Sequence, residues 1–194
     1  MKKRAVFLDR DGTLNVDVGY PRDFAQVTLF PWSAEAVRRI NAAGFVAVVV
    51  TNQSGVGRGF FSEEELQTLH RRMIEALAAE GARLDAVYYC PQYDYAAEPR
   101  YRGGCTCRKP ATGMAERASR DFGLDLASSF MIGDKIEDVQ LGLAFGGTPI
   151  LVRTGYGESS AVRIEALGLR AAAVVPHLLD AVAWLEEREQ SLRA

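Results

Sequence analysis

The sequence predicts an α/β fold with a mainly parallel sheet covered by helices on both faces. Three observations carry this. Short apolar runs rich in Val, Ile, Phe and Tyr recur along the chain, each followed by a helix-like segment. The runs are mostly continuous rather than alternating, as strands buried on both faces must be. The length of 194 residues, 48% of them apolar, is enough for one sizeable core.

In chain order, Ala5–Leu8 is the first strand and Ala34–Ala42 carries a weaker helical pattern before the strand Phe45–Val50. Ser62-Glu63-Glu64-Glu65 reads as a capping box. It opens a helix whose Leu66, Leu69, Met73 and Leu77 form one stripe, and Gly81 closes it. Strands follow at Ala86–Tyr89, Phe130–Ile132, Pro149–Val152 and Ala172–Val175, and helical patterns at Gly113–Phe122, Glu137–Ala144, Ser159–Leu167 and Leu178–Glu187. No repeat or linker interrupts them, so residues 1–194 are expected to form a single domain. The exception to the rhythm is the segment from Pro91 to Thr112, which has no periodicity but holds Arg100, Arg102, Arg108, Lys109 and two cysteines. Aperiodic segments of that length in compact domains are commonly functional.

The formal net charge of −2 argues against nucleic-acid binding through a large basic footprint. The longest apolar stretch, Phe45–Val50, falls far short of the roughly 20 residues that cross a bilayer, so no membrane insertion is expected. The apolar run after Met1-Lys2-Lys3-Arg4 stops at Asp9, too soon for a secretory signal. A cytoplasmic protein is therefore expected, and nothing demands more than a monomer. Three cysteines in such a chain point to metal binding or plain thiols rather than disulfides.

The chemistry-bearing residues gather after strand ends. Asp9-Arg10-Asp11-Gly12-Thr13 ends the first strand, and its two carboxylates can face one pocket at the carboxyl edge of the sheet. Like charges so close call for a cation or a shared proton. The second strand ends in Thr51-Asn52-Gln53-Ser54-Gly55, whose backbone could cradle an anion. Cys107-Arg108-Lys109-Pro110 puts two cations at the end of the long loop, and Gly133-Asp134-Lys135-Ile136-Glu137-Asp138 brings further acids to the same edge. Each has a bland explanation alone: an Asp-rich turn, a capped loop, a solvated basic patch, or acids at a helix start, the last fitting Asp138 better than Asp134. Together they solve one problem. A carboxylate attacking a phosphate ester is repelled by the phosphate charge, and a magnesium ion with a lysine removes that repulsion.

This ordered set resembles the four motifs of the haloacid dehalogenase (HAD) superfamily of phosphohydrolases. The resemblance implies a three-layer Rossmann-like fold and gives each residue a role. Asp9 would be the nucleophile, Asp11 the general acid and base, and Thr51 and Lys109 the phosphoryl stabilisers. Asp9, Asp11 and Asp134 would form the magnesium site, Asp11 through its backbone carbonyl. The stretches between motifs leave no room for a separate cap domain, so an open site rimmed by loops at Val16–Phe30, Ser54–Phe61 and Pro91–Thr112 is expected.

Within the superfamily, nearly the whole chain is similar to the heptose-bisphosphate phosphatase family. The match runs through Asn15-Val16-Asp17, Thr51 to Gly59, Tyr89-Cys90-Pro91, Cys105 to Pro110, Gly113-Met114, Gly133 to Lys135 and Val152 to Gly155. It implies removal of the 7-phosphate of a heptose 1,7-bisphosphate, in heptose precursor biosynthesis for cell-surface polysaccharide. Asp17, Val18, Gly19, Tyr20, Thr51, Asn52, Gln53, Ser54, Arg108, Lys109 and Lys135 would line the substrate site. Arg108 offers a forked donor for the distal phosphate. The related histidinol-phosphate phosphatases share the first motif and the Cys-x-Cys-Arg-Lys-Pro run but typically carry Asp where Ser54 stands. DNA 3′-phosphatases, a more distant alternative, share the Thr-Asn-Gln and Gly-Arg-Gly elements.

One position departs from the pattern. The family commonly holds a structural zinc with Cys-x-His upstream and Cys-x-Cys downstream, whereas this chain has Cys90-Pro91-Gln92. Cys90, Cys105 and Cys107 could still bind zinc with water or Asp94 as fourth ligand. Equally, packing of Tyr93, Tyr95 and Tyr101 could order the loop.

Overall fold

The computed structural model describes residues 2–192. Six strands form one sheet: β1 (Ala5–Leu8), β2 (Val46–Asn52), β3 (Ala86–Cys90), β4 (Phe130–Gly133), β5 (Thr148–Val152) and β6 (Ala173–Val175). Their order is β3-β2-β1-β4-β5-β6, and every pairing is parallel. Six helices connect them: α1 (Ser33–Ala42), α2 (Glu63–Ala79), α3 (Gly113–Phe122), α4 (Ile136–Ala144), α5 (Gly157–Ala166) and α6 (Leu178–Ser191).

The three layers follow from the two-residue period of the strands. Val6 and Leu8 of β1, with Ala47 and Val49 of β2, pack against α1, α6 and the stripe Met73 and Leu77 of α2. Ala5 and Phe7, with Val48 and Val50, face the other way, onto Met114, Ala115 and Ala118 of α3 and Leu141 of α4. Leu151 of β5 joins Val139 and Ile164, which seats α4 and α5 on that same side. Both faces of every central strand are covered, which is why the strand sequences read as unbroken apolar runs.

The capping box at Ser62 forms as expected: its hydroxyl accepts from the Glu65 amide and the Glu65 carboxylate accepts from the Ser62 amide. Strand β2 runs two residues past its apolar stretch, so Thr51 and Asn52 belong to the sheet and are held by its ladder to Tyr89 and Cys90. Helix α6 continues beyond Glu187 to Ser191. Between β1 and α1 there is one 3-10 turn, Phe24–Gln26, and between β2 and α2 no helix or strand. The long loop holds a second 3-10 turn, Pro99–Tyr101, whose buried Tyr101 packs with Val56, Phe61, Leu66 and Ala96. Tyr95, expected to help order this loop, is instead 84% exposed.

The sequence leads to an expectation of metal binding or plain thiols, and two of the three cysteines are instead paired. Cys105 and Cys107 are joined as a disulfide across Thr106, with Cα atoms 5.2 Å apart, inside the ordinary range for such a bond. Cys90 keeps its thiol, buried 2.9 Å from the Cys107 sulfur.

Candidate active site

The strand order reverses at β1, with β2 on one side and β4 on the other, and ligands of open α/β sheets bind at such a point outside the carboxyl ends of the strands. Asp9 leaves β1, Thr51 is the last residue but one of β2 and Asp134 follows β4, so the three meet there. The chain turns sharply after Asp9: the Arg10 carbonyl accepts from the amides of Leu14 and Asn15, and Gly12 sits at φ +84°. A Cβ on Gly12 would collide with the Asp134 carboxylate, and so would one on Gly155, which also has positive φ. These two glycines let backbone wrap closely around a buried acid.

Lys109 comes from the end of the long loop and is bolted to β2. Its amide donates to the Asn52 side-chain oxygen at 3.0 Å, and its carbonyl accepts from the Asn52 side-chain amide at 3.2 Å. Its buried Nζ then bridges Asp9 Oδ1 at 2.8 Å and Asp138 Oδ1 at 2.7 Å. Burial opposes the ammonium form, but Asp138 and Asp9 outweigh it and hold the Lys109 pKa above its usual value. Asp138 also accepts from the Lys135 amide at 2.9 Å, so it starts α4 while facing the site. Gly133 makes room for it, since a Cβ there would overlap its carboxylate.

Oxygens of Asp9, Asp134 and Asp138 lie within 4.8 Å of one another. Burial, together with the Asp9 and Asp138 charges, pushes the Asp134 carboxyl up to about 8, and its Oδ1 is buried with no hydrogen-bond partner. Three converging carboxylates, one of them with an orphaned oxygen, make an oxygen set that fits a hard divalent cation. The third carboxylate is Asp138; Asp11 was expected to offer its backbone carbonyl and not its side chain. The Asp11 side chain is turned onto Arg10, leaving only its backbone carbonyl for a role at the metal. Burial would raise the Asp11 pKa, but the Arg10 guanidinium and the amides of Asn15 and Gln53 hold it below the carboxylate range.

A cleft of about 330 Å³ opens over this centre. Among the expected substrate contacts, Asp17, Gly19, Tyr20, Thr51, Asn52, Gln53, Ser54, Arg108, Lys109 and Lys135 line it. Val18 does not: its apolar side chain is half exposed. Lys135 Nζ pairs with Asp17 at 3.1 Å and lies 4.9 Å above the Tyr156 ring. Burial opposes the Lys135 charge, but Asp9, Asp134 and Asp17 raise its pKa. Arg108 donates to the Gln92 carbonyl at the rim, 3.2 Å away. A larger cleft of about 760 Å³ lies between the Phe24–Gln26 turn and α2, but it contains none of the converging acids.

Sequence reading missed three residues of this site. Asp138 had a ready excuse as a helix-start acid, although its spacing of four from Asp134 places both at one helix end. Glu137 and Tyr156 also line the cleft. Tyr156 arrives from the β5–α5 turn, and its amide donates to Asp134 Oδ2 at 2.8 Å, a contact for which the sequence carries no local signal.

At the cysteine cluster, the sulfurs of Cys90, Cys105 and Cys107 lie within 4.8 Å of one another. Gln92 sends its side-chain amide to the Arg100 carbonyl, while its Oε1 is buried without a partner.

A family model described as HAD-hydrolase-like matches residues 106–181. A D-glycero-beta-D-manno-heptose-1,7-bisphosphate 7-phosphatase of Photorhabdus laumondii is 47% identical over 152 residues, 78% of this chain and 81% of the relative. The chain belongs to the heptose-1,7-bisphosphate 7-phosphatase family. A further relative, a D-glycero-D-manno-heptose-1,7-bisphosphate 7-phosphatase of Thermosynechococcus vestitus, is 46% identical, covering 81% of this chain and 83% of its own. The crystal structure of the D,D-heptose 1,7-bisphosphate phosphatase from B. bronchiseptica, complexed with magnesium and phosphate, superimposes with a TM-score of 0.83 at 32% identity. That match covers 95% of this chain and 99% of the other. The family fold is thus the parallel sheet with helices that the sequence predicts. Among the described residues, no helix is long and apolar enough to cross a membrane.

Proposed function

We propose that this chain is a magnesium-dependent phosphatase that removes the 7-phosphate of D-glycero-D-manno-heptose 1,7-bisphosphate through an aspartyl-phosphate. The observation that carries the reading is the buried Lys109 ammonium held between Asp9 and Asp138 in the cleft that Thr51 also lines, with the buried Asp134 carboxylate converging on the same two acids. Asp9, Asp134 and the Asp11 backbone carbonyl would hold magnesium, with Asp138 converging beside them, and the ion's positive charge would draw the phosphoryl charge away from the attacking carboxylate. Lys109 and the Thr51 hydroxyl bind the phosphoryl oxygens, and Asp9 attacks phosphorus in line. The bond from phosphorus to the sugar oxygen breaks, and that oxygen takes a proton from Asp11. Burial would raise the Asp11 carboxyl but Arg10 holds it low in the free site, and the phosphoryl charge arriving beside it would push it back toward the protonated form. Asp11, now a carboxylate, takes a proton from water. The water oxygen attacks phosphorus, the bond to Asp9 breaks and inorganic phosphate leaves.

Arg108, exposed at the rim, suits the distal phosphate because a guanidinium binds phosphate through two parallel hydrogen bonds. The deciding experiment measures phosphate release, with and without magnesium, from both anomers of the heptose bisphosphate, from histidinol phosphate and from a 3′-phosphorylated oligonucleotide. A large kcat/KM preference for one heptose bisphosphate supports the reading. A preference for histidinol phosphate would replace the substrate while leaving the chemistry in place. Arg108→Ala is expected to raise KM for the bisphosphate about tenfold or more while sparing a sugar monophosphate. Equal losses on both would remove the distal clamp.

In the reduced chain, the three clustered sulfurs would supply three of four ligands of a structural zinc, with water or a neighbouring oxygen as the fourth. Metal analysis of protein purified under reducing conditions tests this. Stoichiometric zinc supports the site, and its absence assigns the order of the loop to the packing of Tyr101.

A further inference from the structure

We propose that His70, on helix α2 and outside the cleft, is a positioning residue for the proton-transferring carboxylate of Asp11, acting through the buried guanidinium of Arg10. The inference rests on the phosphatase reading, in which Asp11 moves the proton.

Arg10 is completely buried. Its Nε and Nη2 donate to Asp11 Oδ1 at 3.0 and 2.9 Å, and Nη2 also reaches Asp11 Oδ2 at 2.7 Å and Gln53 Oε1 at 3.1 Å. The remaining nitrogen, Nη1, lies 3.1 Å from His70 Nε2. A guanidinium only donates, so His70 must accept at Nε2 and carry its own proton on Nδ1. Gln53 extends the network, its side-chain amide donating to Asp11 Oδ2 and to Thr51 Oγ1, both at 2.9 Å. A continuous path of hydrogen bonds therefore runs from α2 through Arg10 to Asp11, and through Gln53 to Thr51.

The position of His70 is otherwise hard to explain. It is buried on the same helix as Leu66, Leu69, Met73 and Leu77, where an apolar side chain would pack as well. An apolar residue there would leave Nη1 of a fully buried cation without an acceptor, which proteins avoid. The guanidinium would turn to find one, and Asp11 and Gln53, tied to its other nitrogens, would move with it. Proton transfer tolerates little displacement, because donor and acceptor must stay within hydrogen-bond reach. Asp9, Lys109 and Asp134 meet this network only at the Arg10 amide, which donates to Asp9 Oδ1 at 2.7 Å. Thr51 is reached through Gln53, but the buried Lys109 ammonium, which supplies the charge opposite the phosphoryl group, is not tied to the Arg10 guanidinium, so ground-state binding should largely survive loss of His70.

The test compares His70→Leu, which removes the acceptor, with His70→Gln, which returns one. Steady-state kinetics on the heptose bisphosphate, inhibition by inorganic phosphate and thermal melts are measured for each. His70→Leu is expected to lower kcat about tenfold or more, with KM and the phosphate inhibition constant within about twofold of wild type. His70→Gln is expected to return kcat to within about threefold of wild type, since the acceptor is restored. Unchanged kcat in folded His70→Leu overturns the proposal. So does an equal kcat loss in both variants, or a KM rise that matches the kcat loss. If His70→Leu does not fold, Arg10→Lys takes its place, because a lysine cannot span Asp11, Gln53 and His70 together; the same selective loss of kcat is expected, and its absence overturns the proposal. The phosphatase reading is checked separately: wild type that releases phosphate while Asp9→Asn does not leaves it standing whatever the His70 variants do.

Discussion

Asp138 shows how much one side chain can hold in place. It accepts from the Lys135 amide at the start of α4 and pairs at 2.7 Å with Lys109, while its oxygens reach within 4.8 Å of those of Asp9 and Asp134. Burial and the Asp9 charge push its carboxyl up to about 6 against the pull of Lys109. Asp138→Asn keeps an acceptor for the Lys135 amide but removes one charge from the cation site. The magnesium concentration for half-maximal activity is expected to rise about 10–100-fold, read from phosphate release across a magnesium titration. At the nucleophile, Asp9→Asn is expected to abolish turnover while the thermal melt stays cooperative. Substantial residual phosphate release would remove Asp9 from that role.

Among the elements, the turn at Gly12 serves the site and the start of α2 serves stability, and the two can be separated by substitution. Gly12, at φ +84°, passes so close to Asp134 that any side chain would displace the acid. Gly12→Ala is therefore expected to cost more than about 1 kcal/mol in urea unfolding, from backbone strain, and to remove most activity with it. Ser62 caps α2 on the molecule's surface, away from the converging acids. Ser62→Ala is expected to cost about 1 kcal/mol with kcat unchanged. A matching loss of kcat would mean that the start of α2 reaches the chemistry, which the geometry does not suggest.

For the whole molecule, the buried polar network sets an acid limit on stability. Burial, with the Arg10 charge, pushes His70 down to about 3, whereas in the unfolded chain it titrates near 6.5. Between those values the unfolded state holds the extra proton, so the contribution of His70 is complete above pH 6.5 and is lost as pH falls toward 3. The slope is at most about 1.4 kcal/mol per pH unit. Urea unfolding of wild type and His70→Gln at pH 7 and pH 4.5, with magnesium present, isolates this group. The variant is expected to lose less stability on acidification, and parallel losses would show that His70 is not held neutral.

The same molecular scale separates what was legible in the sequence from what was not. The strands were legible because both faces of a parallel sheet are covered, which writes each strand as a run such as Val46–Val50. Helix α2 was legible because a capping box and an apolar stripe are local signals. Asp9, Thr51, Lys109 and Asp134 were legible because each immediately follows a strand end or a loop of distinctive composition. Asp138 in the cation cluster, the turning of Asp11 onto Arg10, the Tyr156 amide on Asp134 and the His70 link were not. The Tyr156 and His70 contacts join segments far apart in the chain, across 22 and 60 positions, and Asp11, although next to Arg10, is also held by Gln53 from 42 positions away. Periodicity, capping and turn chemistry act over a few residues and so determine the elements and their order. Which buried charge meets which, and hence which carboxylates converge and which is held by arginine, was decided only when the sheet brought distant strand ends within hydrogen-bonding distance.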